Sequence, residues 1–167
     1  MNLDNFAAQI GTNDFARPNL FRVNLERPGD QHQAAQFFVK AASIPSSTVG
    51  VVEVPFLNRK LKVPGDRTFQ DWTVTVINDE AQVVRQQLVK WQQEIQGYGG
   101  AAGMLHPIGA HARLSVQTLS RDLQYATHQV DLECWPSEIG AVELGWETAD
   151  AVQEYTVTFS VTSSTPG

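Results

Sequence analysis

Hydrophobic and polar side chains alternate one for one through much of this chain, the period of a strand with one face in a core and the other in water. Between Leu20 and Glu26, Phe21, Val23 and Leu25 oppose Arg22, Asn24 and Glu26. Trp72, Val74 and Val76 oppose Asp71, Thr73 and Thr75, and Tyr155, Val157, Phe159 and Val161 alternate with Thr156, Thr158, Ser160 and Thr162. Further strand-like runs lie at Gln36–Ala41, Val51–Val54, Ala112–Leu119, Thr127–Cys134, Val142–Trp146 and Gln153–Thr162. From Asp79 to Gln96 the period changes. Ala81, Val84, Leu88, Trp91 and Ile95 recur at steps of three and four, opposite Arg85, Gln86, Lys90 and Gln93. Asn78 suits a helix cap, Asp79 and Glu80 the positive end of the helix dipole, and Gly97 the stop. Seven or eight short strands and one helix predict a mainly β fold: two packed antiparallel sheets, sandwich or barrel, with one flanking α-helix and a long projecting hairpin.

The stretch from Asn58 to Glu80 organises the rest. Arg59, Lys60, Leu61, Lys62 and Val63 form a basic, apolar arm that feeds the strand at Trp72. Pro64 has no donor, Gly65 tolerates positive φ and Asp66 bonds its own backbone, so the three predict a turn. Pro28–Gly29–Asp30 and Trp135–Gly140 read as turns too. Residues 1–167 then form one domain: an N-terminal arm over 1–17, a projecting loop or hairpin over 43–68, the helix over 79–96, a glycine-rich loop over 97–111 and a flexible polar tail over 163–167.

Composition narrows the function. With 42% hydrophobic and 18% charged residues the chain is globular rather than disordered. Its net charge of -6 argues against a dedicated grip on nucleic acid or anionic membrane, and no stretch approaches a membrane span. The charge is lopsided. Eight of the 18 carboxylates follow Arg121, where no Lys or Arg occurs, whereas four of the 12 basic residues sit at Arg59, Lys60, Lys62 and Arg67. Cys134 is the sole cysteine and reads as a small buried hydrophobe.

No catalytic or metal constellation emerges. His32, His106, His111 and His128 form no metal-ligand pair, and no nucleophile elbow or Cys–His pairing exists. The glycine-rich segment Gly97–Gly109 lacks the Lys–Ser/Thr ending of a phosphate cradle and follows a helix rather than opening one. Arg121 beside Asp122 is a surface turn pair, and Asp131 with Glu133 lies on one strand face. The residues describe a non-enzymatic β domain without cofactors, carrying a basic arm and two-faced strands.

Longer runs carry a resemblance. Asp14–Phe21 (DFARPNLF), Asn58–Lys60, Gly65–Phe69, Asp71–Val76 and Asn78–Ala81 closely resemble the tail tube proteins of contractile-tailed bacteriophages. Trp91–Gln92, Arg121–Asp122, Trp135–Pro136, Gly140, Leu144 and Trp146 continue the match in order, over about residues 14 to 162. The resemblance implies a structural subunit of the inner tail tube. Six copies would close into a ring, rings would stack head to tail, and viral DNA would pass down the bore without sequence-specific binding. The implied partners are further copies of the chain, the tail sheath protein, a baseplate tube initiator, a tail terminator and a tape-measure protein in the lumen, with no membrane. The implied location is the virion tail, after assembly in the host cytoplasm.

Geometry is consistent with that use. Four strands from each of six subunits make about 24 strands, and at ~4.8 Å spacing a circumference of roughly 115 Å and a backbone diameter of roughly 37 Å. On the resemblance, the arm reaches a neighbouring subunit or ring. Arg59, Lys60, Lys62, Arg67 and Asp66 are then candidates for the stacking contact, facing the acidic C-terminal third of another copy. DNA carries one charge per about 1.7 Å of axis, so a neutral or acidic wall lets it slide where a basic wall would hold it. The hydroxyl-rich faces Thr73, Thr75, Thr156, Thr158 and Ser160, with Asp131 and Glu133, are candidates for the lumen. The alternatives are the tube of a related injection machine that delivers protein effectors, and a lone β-sandwich that decorates a capsid or binds sugar.

Overall fold

The computed structural model describes residues 3, 15–25, 27, 38–97, 107–123, 126–146 and 151–166. Strands β1 (Phe21–Asn24), β2 (Val39–Ala42), β3 (Ser47–Phe56), β4 (Arg59–Phe69) and β5 (Trp72–Ile77) precede helix α1 (Val83–Ile95). Strands β6 (Ala112–Leu119), β7 (Ala126–Ile139) and β8 (Glu154–Pro166) follow it. The mainly β architecture with a flanking helix is therefore present, in two sheets. One has six strands in the order β1-β6-β7-β8-β5-β2 and curls into a nearly closed barrel; the other is the β3-β4 ribbon. Every pairing is antiparallel.

The period-two alternation is what builds the core. Val23, Trp72, Val74, Val76, Leu114, Val116, Leu132, Val157 and Phe159 project from one face of the six-stranded sheet and meet Val84, Leu88 and Trp91 of α1. Each large apolar side chain so buried contributes roughly 1.5–3 kcal/mol. Phe159 sits at the centre, its ring centroid 5.3 Å from Trp72 and 6.4 Å from Trp91. The Trp91 indole donates to the Ala110 carbonyl at 3.0 Å, so its one polar atom is satisfied inside the core. Arg27 lies over the Trp91 ring and pairs with Glu94, holding the chain that follows β1 against the helix.

Four local differences from the sequence reading have physical causes. The helix begins at Val83 rather than Asp79, because Gln82 adopts a left-handed backbone with φ 52. Gln82 is the cap residue, Asp79 Oδ1 accepts from the Val83 amide at 3.0 Å, and Asn78 donates instead to Gln153. Trp135–Ile139, expected as a turn, continues β7. Pro136 is tolerated there because β6 ends opposite Cys134, so no ladder needs its missing N–H on that side, and a register shift follows at Ser137. Val142–Trp146 is irregular rather than strand and belongs to neither sheet. Ser163–Pro166, expected as loose tail, pairs with Val130–Glu133 as the end of β8. The Pro28–Gly29–Asp30 turn, most of the 1–17 arm, and residues 98–106 of the glycine-rich loop lie outside the described residues; Pro107–Ala110 forms one 3₁₀ turn.

Candidate assembly surfaces

The arm is the first surface. Its hairpin turn falls at Leu57 and Asn58, with φ 41 and 62, and not at Pro64–Asp66. Two successive residues with positive φ make the tight two-residue turn whose twist matches a β-ribbon, and Asn tolerates it well. Pro64–Gly65–Asp66 instead holds a β-bulge. Val49 pairs with Arg67 and Val51 with Pro64, so Gly50 alone faces Gly65 and Asp66. The extra residue there accounts for the turn-like composition of that segment.

Pairing across the ribbon sorts its side chains onto two faces. Val52 opposite Val63, Val54 opposite Leu61 and Phe56 opposite Arg59 make one face, which is apolar. Val51 opposite Pro64, Glu53 opposite Lys62 and Pro55 opposite Lys60 make the other, where Lys60 bridges to Glu53 at 2.7 Å. Arg59 therefore does not share a face with Lys60 and Lys62. Arg67 and Asp66 lie nearer the root, beside the bulge. All ten residues of β3 are exposed, and Phe56 is 69% and Leu61 63% accessible. Sequence reading singled out the charges and passed over this apolar face. Its signal was available, since Val52, Val54 and Phe56 alternate along β3 and Leu61 and Val63 answer them along β4.

The outward face of the six-stranded sheet is the second surface. Thr73 lies beside Thr158 and Thr75 beside Thr156 across β5 and β8, opposite the core positions Trp72, Val74 and Val76. Ser160 neighbours Trp135 across β8 and β7. Glu133 stands between Arg113 and Ser163, and Asp131 between Ser115 and Thr165. Thus Thr73, Thr75, Asp131, Glu133, Thr156, Thr158 and Ser160 share one face, the side away from the core. They are joined there by short polar contacts: Ser163 to Glu133 at 3.1 Å, Gln129 to Asp131 at 2.7 Å and Lys40 to Glu154 at 2.6 Å.

Strand edges are the third. Strands β1 and β2 flank the sheet with only four residues each. Beyond Phe159, β8 pairs with β7 alone, leaving Ser160–Pro166 with an unpaired side. The corresponding edge of β7 is covered, because Gln92 of α1 donates to the Pro136 carbonyl at 3.2 Å and Arg85 to the Gly140 carbonyl at 3.0 Å.

No group of three or more metal-ligating side chains occurs among the described residues. Burial pushes the Cys134 thiol up to about 12, and the neighbouring Glu133 adds to the shift. This thiol stays protonated and inert at ordinary pH. The surfaces belong to a β domain that presents an apolar ribbon, a polar sheet face and open strand edges, which is the class of a structural protein. Comparison with known proteins gives the family. The family model for phage tail tube protein matches residues 4–163, and the chain belongs to that family. It is 36% identical to the tail tube protein gp19 of Enterobacteria phage T4 over 162 residues, 96% of this chain and 98% of that one. The tail tube protein of Serratia phage KSP90 is 23% identical over 84% of this chain and 82% of its own. Among solved structures, the fold is similar to a chain of the PVC sheath/tube terminator of an extracellular contractile injection system, with a TM-score of 0.69 at 12% identity, covering 93% of this chain and 99% of that one.

Proposed function

We propose that this chain is the subunit of the inner tube of a contractile phage tail: six copies close into a ring, rings stack head to tail, and viral DNA leaves through the bore. The observation that carries the reading is the arm. A monomer rarely leaves a ribbon face such as Val52, Val54, Phe56, Leu61 and Val63 in water, and an apolar surface of that kind marks a protein interface. The 36% identity to a phage tail tube protein along nearly the whole chain supports reading it as an interface between tube subunits. Joining sheets side by side in a closed annulus hides the edges of β1, β2 and β8. The axial contact is head to tail, and a heterologous contact of that kind grows an open filament.

In this reading Thr73, Thr75, Thr156, Thr158, Ser160, Asp131 and Glu133 face the lumen, where tape-measure protein and then DNA lie. The helix side faces outward toward the sheath, while an initiator at the baseplate and a terminator close the two ends. Chains of an extracellular contractile injection system share the fold, but the sequence likeness is to phage proteins, which favours DNA as cargo. Negative-stain microscopy of the pure protein at rising concentration tests the proposal. Hollow rods with sixfold end views are expected; dispersed single particles at every concentration and salt would overturn it.

A further inference from the structure

The tube reading leaves open where the arm tip lands, and the two ends of β5 suggest an answer. The arm leaves the domain at the Trp72 end of β5, where the Gln70 amide bonds the Ser46 carbonyl and the Trp72 indole bonds the Ser43 carbonyl at 2.6 Å. At the other end, where Ile77 pairs with Glu154, a groove of about 630 Å³ opens between the segment after β7 and the start of β8. Ala141, Glu143, Leu144, Val152 and Glu154 line it together with Thr156. Polar groups make up more of the groove's lining than apolar ones; Leu144 and Val152 are its exposed apolar side chains, and Glu143 and Glu154 form an acidic margin. Leu144 is 84% and Val152 65% exposed, as unusual for a free monomer as the 82% exposure of Leu57 at the arm tip.

We propose that this groove is the socket for the arm tip of a second copy, with Phe56 and Leu57 against Leu144 and Val152, and Lys62 facing Glu143. The inference rests on the tube reading and names the surface that the arm meets. Three observations select a second copy as the occupant. Arm and groove lie at opposite ends of one strand, so a copy offering its arm presents its own groove to the next, which is the head-to-tail geometry of a filament. Reach is sufficient: the ten residues of β3 span roughly 34 Å, against roughly 20 Å for the six of β5. Charges are complementary. Lys60 is engaged with Glu53 and Glu154 with Lys40, whereas among the described residues neither Lys62 nor Glu143 has an ion pair within its own chain.

Disulfide trapping tests the contact in the full-length protein. The native Cys134 is fully buried, so thiols introduced by Leu57→Cys and Leu144→Cys together report on the socket alone. Assembled and oxidised, that double variant should run as a ladder of covalent multimers without reductant, and each single variant should not. Tubes that form normally but release only monomer would overturn the socket while leaving the tube reading intact. Failure of the unsubstituted chain to form tubes would instead sink the tube reading. A charge exchange decides the matter if the cysteine variant assembles poorly. Lys62→Glu and Glu143→Lys should each raise the concentration needed for tube growth by roughly threefold to fivefold, and the two combined should restore it. Equal impairment of the combined variant and the singles would overturn the pairing.

Discussion

Gly65 lies so close to Gly50 across the arm that a Cβ built on Gly65 would stand 3.3 Å from the Gly50 carbonyl oxygen and 3.2 Å from Cγ2 of Val52. The bulge therefore needs a bare backbone on both strands. Gly65→Val would push the two strands apart by a few tenths of an ångström where the ribbon bends. Because the arm lies outside the core, the variant should unfold within about 0.5 kcal/mol of the parent in denaturant. Its arm amides should exchange faster, and tube growth should fail. A loss of several kcal/mol in global stability would show instead that the arm is packed on the domain.

The apolar face of the arm makes a sharper separation of folding from assembly. Val54 and Leu61 face each other across the ribbon and are 45% and 63% exposed. Val54→Ser with Leu61→Ser removes little surface that folding has buried, so the melting temperature should hardly move. Tube formation should be abolished, because an apolar interface of several side chains loses roughly 25 cal/mol for each Å² no longer buried. Calorimetry and microscopy on the same sample check both halves.

Trp72 joins the arm to the core. Its ring packs on Phe159 and its indole N–H donates to Ser43 just before the arm begins, so it fixes the direction in which the ribbon leaves. Trp72→Ala should cost about 3–5 kcal/mol, a cavity in a fully buried site. Trp72→Phe should keep much of that packing while freeing Ser43. Expected is a small loss of stability and, in assembled tubes, a larger loss of ring stacking. Equal effects of Phe and Ala on folding would show that the hydrogen bond, rather than the ring, holds the site.

How much of this was written in the sequence depends on range. Strands β5, β6 and β8 and the stripe Val84, Leu88, Trp91 were readable because periodicity reports directly which side chains meet the core. The shared face of Thr73, Thr75, Thr156 and Thr158 follows from the same rule once β5 is paired with β8. What was not legible depended on pairing partners. Pro64, Gly65 and Asp66 have turn composition, and only the register of β3 against β4 shows that they absorb an extra residue in a strand. Leu57 carries no turn signal, yet the bend falls on it. Pro136 looks like a strand breaker until β6 is seen to stop short of it. Splitting Arg59 from Lys60 and Lys62 needed the same register, although simple alternation already implied it.

Tyr155 should govern the alkaline limit of the fold. It is 3% exposed, its hydroxyl has no hydrogen-bond partner among the described residues, and Arg85 lies over its ring at 5.1 Å. Burial pushes the phenol from its ordinary 10.0 up to about 12, with Arg85 opposing the shift and Asp79 adding to it. A raised acid in the folded state means that the unfolded chain releases its proton first. The contribution is therefore intact below pH 10 and is lost as pH rises from 10 to 12. Cys134, raised from 9.0 to about 12, acts in the same direction from pH 9 upward. Denaturant titrations should show stability falling across this window and a shallower fall for Tyr155→Phe. Near neutral pH that variant should be unchanged or more stable by about 1 kcal/mol, since it removes an unpaired buried hydroxyl.

The bore assignment rests on which side of the sheet looks inward, and charge can decide it. Thr73 is exposed on the face away from the core, so a lysine there disturbs no packing and should cost the fold less than about 1 kcal/mol. Thr73→Lys should still yield tubes, now with a ring of cations at each level of the wall. A duplex threaded through such a wall is held by counterion release, with an affinity that falls steeply with salt. Tubes of the variant should therefore protect short DNA from nuclease at low salt and release it as salt rises, whereas parent tubes should protect little. If the variant binds DNA that stays fully digestible, the lysines are on the outside of the tube and the hydroxyl face does not line the lumen. If parent tubes protect DNA as well as the variant does, the wall grips its cargo without added charge, and the sliding role assigned to Thr73, Thr75, Thr156, Thr158 and Ser160 fails.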